Sequence, residues 1–137
     1  MPKITYQDFI RAAREGDLTL IQTYQQQGGD LHLNQDEMLR WSANSGHLPV
    51  VKYLLTKGAD VHANNDQALR WGAEEGHLPV VQILIEYGAN IHKGINAVQH
   101  QPLILSWLED YQRMQHEQLL LSAVETITAP QLKPQRL

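Results

Sequence analysis

The residues of this chain that could do chemistry are seven histidines, a carboxylate pair at Glu74 and Glu75, two arginines in equivalent contexts (Arg40, Arg70) and two tryptophans beside them (Trp41, Trp71). Histidine would suggest metal binding or proton transfer. However, His32, His62 and His92 recur at one fixed spacing, and so do His47 and His77. Donors that shared a zinc would have to lie within ~2 Å of one ion. If the spacing is the pitch of stacked helices, its copies stand ~10 Å apart. The periodic histidines are therefore expected to be structural, and no metal site or cofactor is expected. Adjacent residues on a helix diverge by ~100°, so Glu74 and Glu75 read as a solvated edge and not as an acid–base couple. Cysteine is absent, and no glycine-rich phosphate loop is present. Catalysis is not expected. Arg40 and Arg70 each follow an aspartate (Asp36, Asp66) by four positions, the spacing of a local helical ion pair. The alternative is that both arginines face a partner. Tryptophan is favoured in interface hot spots, but burial between repeats is the preferred reading of Trp41 and Trp71.

These residues sit in a repeated block. Asp36 to His62 and Asp66 to His92 align without a gap, and 15 of the 27 positions are identical. A weaker copy precedes them, in which Ala13, Gly16, Leu18, Gly28, Asp30 and His32 match the second copy. Arg11 stands there where the later copies carry Trp41 and Trp71, the exchange expected of a solvent-facing cap. A period of this length marks a stack of units, none of which can bury its apolar face alone.

Each unit reads as two helices and a turn. Asp36 and Asp66 are expected to be N-caps of first helices over about 37–45 and 67–75. Ala43 and Ala73 are small enough for a second helix to approach closely. Gly46 and Gly76 are expected to end the first helices, and Pro49 and Pro79 fall in the first turn of the second. The buried stripes are Val50, Val51, Leu54, Leu55 and Val80, Val81, Leu84, Ile85, with Gly58 and Gly88 closing the unit. After His92 the period fades. Pro102 to Glu109 still match a second helix, leaving only Asn96 to Gln101 for a first. A separate amphipathic helix is expected over about 115–126, and the segment 128–137 is expected to be a flexible tail.

The segment Gly46 to Val61, GHLPVVKYLLTKGADV, resembles the second helix and exit turn of the ankyrin repeat, and the similarity extends over about residues 5–92. The family's TPLHxAA opening is replaced by Glu37 to Ala43 and Gln67 to Ala73, and the repeat is about 30 residues long, shorter than the usual 33. The resemblance implies an all-α solenoid of helix-turn-helix units with shortened hairpin fingers and a C-terminal helical cap. One domain is expected over 1–127, with repeats at about 5–34, 35–64 and 65–94 and a degenerate fourth repeat with cap helices at 95–127. It further implies a non-enzymatic interaction module that binds a partner protein on its concave surface. Mapped onto this chain, that surface comprises Arg14, Glu15, Asn34, Gln35, Arg40, Asn44, Ser45, Asn64, Asn65, Arg70, Glu74 and Glu75.

Bulk properties agree with that class. The net charge is −4, without a basic patch for a nucleic-acid backbone. No apolar run approaches the ~20 residues of a membrane span, and the N-terminus has no apolar secretory core. A cytoplasmic location is expected, in a host cell if the protein is a microbial or viral effector that blocks a target. A monomer is expected. The run Leu119 to Leu121 leaves open a second class of function, self-association through the last helix.

Overall fold

A computed structural model describes residues 3–128 of the chain. The elements are α1 (Tyr6–Glu15), α2 (Leu18–Gln26), α3 (Leu33–Ser45), α4 (Leu48–Thr56), α5 (Ala63–Glu74), α6 (Leu78–Glu86), α7 (Ile91–Ala97) and α8 (Pro102–Thr128), with no strand among the described residues. The odd-numbered helices form one layer, α1 against α3, α3 against α5 and α5 against α7. Each of α2, α4 and α6 packs on its own first helix, and α4 also meets α6. This is the expected all-α stack.

The expected stripes build the core. Val50, Val51, Leu54 and Leu55 are buried, as are Val80, Val81, Leu84 and Ile85, and they close on Phe9, Leu39, Leu69 and Leu108. A fully buried leucine or valine side chain contributes roughly 1.5–3 kcal/mol relative to exposure. Ala43 and Ala73 have no accessible surface. At the matching close approach Gly72 would bring a Cβ within 3.3 Å of Val80. Small side chains are thus what allow the paired helices to meet.

Gly46 and Gly76 end the first helices at φ 78° and 82°, and Gly58 and Gly88 follow the second helices at φ 92° and 97°. The first unit is capped by Thr5, whose hydroxyl accepts from the Asp8 amide while the Asp8 carboxylate accepts from the Thr5 amide.

Three expectations need correction. The fourth unit's first helix is α7, which starts at Ile91 and shares only its last two residues with the 96–101 segment. The Asn90 side chain accepts from the His92 amide and starts the helix directly. The two expected C-terminal helices are one 27-residue helix, α8, because residues 110–114 contain no proline or glycine to divide them. The aspartate N-caps are replaced by a different device, described below. The expected tail falls, from residue 129 on, outside the described residues.

Candidate interaction surface

The lead into each long first helix is left-handed. Asn34, Gln35 and Asp36 have φ of 53°, 56° and 52°, and Asn64, Asn65 and Asp66 have 52°, 62° and 55°. An L-residue in this region costs roughly 1–2 kcal/mol, and asparagine and aspartate tolerate it best. A three-residue left-handed turn, repeated in two units, takes the place of a finger. It carries four of the expected contact residues, Asn34, Gln35, Asn64 and Asn65, all exposed.

The arginines hold these turns. Arg40 donates from Nε to the Gln35 carbonyl at 3.1 Å and from Nη2 to the Asn34 carbonyl at 2.7 Å. Arg70 repeats this on Asn65 at 3.0 Å and Asn64 at 3.2 Å. The expected ion pairs of Arg40 with Asp36 and Arg70 with Asp66 are therefore not formed. The arginine carries the orphan carbonyls of the left-handed turn. Arg40 also donates to Gln67 Oε1 of the next unit at 2.5 Å, and both arginines are only half exposed.

The aspartates are buried tie points, not N-caps. Asp36 is 7% exposed and Asp66 1%. Asp36 Oδ2 accepts the Asp60 amide at 3.0 Å and Asp66 Oδ2 accepts the Asn90 amide at 2.6 Å, so each carboxylate fastens the turn that leaves its own unit. His32 and His62 approach the other oxygen through Nδ1 at 2.6 and 3.0 Å. Lys93 Nζ adds a 3.6 Å contact to Asp66. Burial alone would raise the Asp66 carboxyl pKa. The Asn90 amide, His62 and Lys93 outweigh it, and the net value is lowered.

His47 and His77 have the structural role expected of them. Nε2 of each contacts a carbonyl 33 residues upstream, Arg14 at 2.8 Å and Asn44 at 2.9 Å. The next rung is a glutamine: Gln101 Nε2 donates to the Glu74 carbonyl at 2.9 Å, 27 residues upstream. The fourth unit is thus six residues shorter, which is why the period fades after His92 and why Gln101 carries no sequence signal.

The expected surface residues form two rows. Asn34, Gln35, Asn64 and Asn65, with Arg40 and Arg70, lie at the start of the first helices. Arg14, Glu15, Asn44, Ser45, Glu74 and Glu75 lie at their C-terminal ends. Nine helical residues from 37 to 45 separate the rows by roughly 13 Å. Between them, Trp41 and Trp71 are half buried, their rings tilted against each other at 5.0 Å between centroids, and Arg14 places its guanidinium 4.3 Å from the Trp41 ring centroid. The expected burial of the two indoles is only partly reached. Glu74 and Glu75 are exposed and form no ion pair among the described residues.

One network has no counterpart in the sequence pattern. The Tyr6 hydroxyl donates to the Glu37 carboxylate, Asn34 Nδ2 donates to Tyr6 Oη at 3.0 Å and to Glu37 Oε2 at 3.1 Å, and Trp41 Nε1 donates to Glu37 Oε1 at 3.3 Å. Burial and the Glu37 hydrogen bond push the Tyr6 phenol up to about 12. Burial would raise Glu37, but its donors Tyr6, Asn34 and Trp41 outweigh that and lower it. The cluster anchors the first left-handed turn to α1.

A family model described as ankyrin repeats (3 copies) matches residues 9–94. No curated protein matches the chain.

Proposed function

The chain belongs to the ankyrin-repeat family, whose repeats are generally protein–protein interaction modules and typically non-enzymatic, and from that premise we propose that it binds a partner protein across the two rows flanking Trp41 and Trp71. The observation that carries this reading is the left-handed turn at Asn34–Asp36 and Asn64–Asp66. Strained backbone persists only where surrounding structure enforces it, and such strain clusters at functional sites. Here two arginines and two buried aspartates enforce it, while the side chains of Gln35 and Asn65 remain exposed and take part in none of those contacts. A rigid frame with outward polar side chains binds at low ordering cost. Arg14, Glu15, Asn44, Ser45, Glu74 and Glu75 complete the surface, with the acidic end at Glu74 and Glu75 favouring a neutral or basic patch on the partner.

The test is site-specific photo-crosslinking of a captured partner. Probes at Gln35, Asn65 and Glu75 should crosslink, and probes at Lys52 and Glu86, on the second helices, should not. The reverse pattern would move the contact to the other layer. The double change Glu74→Lys with Glu75→Lys should slow association at low salt.

A second reading rests on α8. Leu119, Leu120 and Leu121 are 68%, 54% and 64% exposed, an apolar surface suited to a second copy of the chain. Light scattering on the intact protein distinguishes a monomer from a dimer.

A further inference from the structure

The second repeat is fastened by a histidine whose two ring nitrogens both face acceptors. His32 Nδ1 lies 2.6 Å from Asp36 Oδ1, and Nε2 lies 3.0 Å from the Lys57 carbonyl. Neutral imidazole carries one N–H and one lone pair. Either tautomer would satisfy one acceptor and aim a lone pair at the other. Only the imidazolium donates to both. The same Asp36 carboxylate accepts the Asp60 amide through its second oxygen. The proton therefore sits where the start of α3 meets the end of α4 and the turn beyond it.

We propose that His32 is a proton-operated clasp of the second repeat. Charged, it ties Asp36 to the Lys57 carbonyl. Neutral, it releases one of the two and slackens the left-handed turn Asn34–Gln35, which lies in the chain between His32 and Asp36. Regulation of partner binding through this turn rests on the function proposed above; the clasp does not.

The charges around His32 are accounted for. Asp36 faces it from α3. Asp30 faces it from the preceding turn and accepts the His32 backbone amide at 2.8 Å. From the end of α4, Lys57 offers its carbonyl while its ammonium lies 5.6 Å from the Tyr53 ring centroid. The Asp60 carboxylate is taken by the His62 amide. Burial would lower the His32 pKa. The Asp36 hydrogen bond and charge, the Lys57 carbonyl and Asp30 outweigh it, and the net value is raised. A raised folded-state value means that the stabilisation is fully present below the unfolded value, about 6.5, and is lost as pH rises through the folded value.

The third repeat uses the same positions differently. His62 contacts Asp66 through Nδ1, but Lys93 also reaches that carboxylate. A lysine stays charged throughout the neutral range. The His62 side chain is 57% exposed against 39% for His32. Among the described residues only His32 sets both ring nitrogens against acceptors, so the two-acceptor clasp belongs to the second repeat.

The experiment is a nitrogen-resolved NMR titration of the imidazoles of the intact protein, combined with amide exchange corrected for its intrinsic pH dependence. His62 serves as the repeat control, and the exposed His100 and His116 as references. The titration midpoint of His32 should lie above all three, with protons on both Nδ1 and Nε2 below it. Protection of the Asp60 amide should fall as His32 deprotonates, while that of Asn90 should not follow. His32→Gln should remove the pH dependence at Asp60. A His32 midpoint at or below the references, or Asp60 protection that ignores it, overturns the clasp. The unmodified protein decides the matter if the variant does not fold.

Discussion

The indole of Trp41 meets that of Trp71, one repeat further along, in a tilted pair at 5.0 Å between centroids with 46° between planes. Arg14 covers the Trp41 ring from the first repeat. A cation and two rings drawn from three successive units thus run along the stack axis between the two polar rows.

This row should be energetically coupled. An aromatic pair contributes about 0.5–1.5 kcal/mol beyond its buried area. A double-mutant cycle of Trp41→Leu and Trp71→Leu should return an interaction energy in that range when unfolding is followed in urea. Arg14→Ala should cost about 0.5–1 kcal/mol, as a cation over an exposed ring would. Additive tryptophan substitutions would show that the rings are neighbours without attraction.

Asp66 should matter more than a helix cap. Asp66→Ala leaves the Asn90 amide and Lys93 without their buried acceptor, and the expected loss is about 2–3 kcal/mol against ~1 for a lost N-cap. Because its folded-state pKa is lowered, the stabilisation is present above the unfolded carboxyl value of about 3.9 and is lost as pH falls through the folded value. The difference in stability between wild type and Asp66→Ala, measured in urea at a series of pH values, should therefore narrow under acid. A gap that stays constant down to pH 2 would mean that the carboxylate charge is irrelevant.

The balance between what the sequence discloses and what it withholds follows from the kind of signal. Val50, Val51, Leu54 and Leu55 announce their burial through spacing alone, and Gly46, Gly58 and Gly88 announce positive φ because only glycine occupies it freely. The contact between Asp66 and the Asn90 amide spans 24 residues and depends on a turn geometry that no local pattern encodes. The aspartates read as caps because their types and positions suit one. The signal that points instead to the turn is Asn64-Asn65-Asp66, three residues in which every member tolerates the left-handed region. Gln35 hides the same turn in the second unit, since glutamine has no such preference. Gln101 is invisible because the fourth unit is six residues shorter, and alignment by period places the wrong residue on its rung.

Backbone handedness gives opposite expectations at two sites. Gln35 sits at φ 56° with a side chain. Gln35→Gly removes about 1–2 kcal/mol of strain and adds about 0.4–1 kcal/mol of unfolded-state entropy, for a net gain of about 0.8 kcal/mol. Gly58 sits at φ 92°, and nothing lies within 4 Å of where a Cβ would stand, so space is not limiting there. Gly58→Val should still cost about 1–2 kcal/mol through conformation alone. Calorimetric melting of both variants checks the pair. If Gln35→Gly melts lower than wild type, the left-handed turn is less strained than its dihedrals imply.

The two ends of α8 should respond oppositely to truncation. Ile104 and Leu108 are 3% and 0% exposed and close the core over α7, whereas every described side chain from Arg113 to Ile127 is exposed. Ending the chain after Gln112 removes no buried side chain. That variant should keep its melting temperature to within a degree or two, since surface changes are worth about half a kilocalorie per mole. Ending it after Gln101 removes Ile104 and Leu108 from the buried cluster that also holds Val98 and Leu84. Losing two buried aliphatic side chains costs about 4 kcal/mol or more before any cavity is counted. That fragment should aggregate or melt without cooperativity. If it instead unfolds sharply at the wild-type temperature, the first three units are self-sufficient, and all of α8 is free for another purpose, with self-association through Leu119 to Leu121 the first to examine.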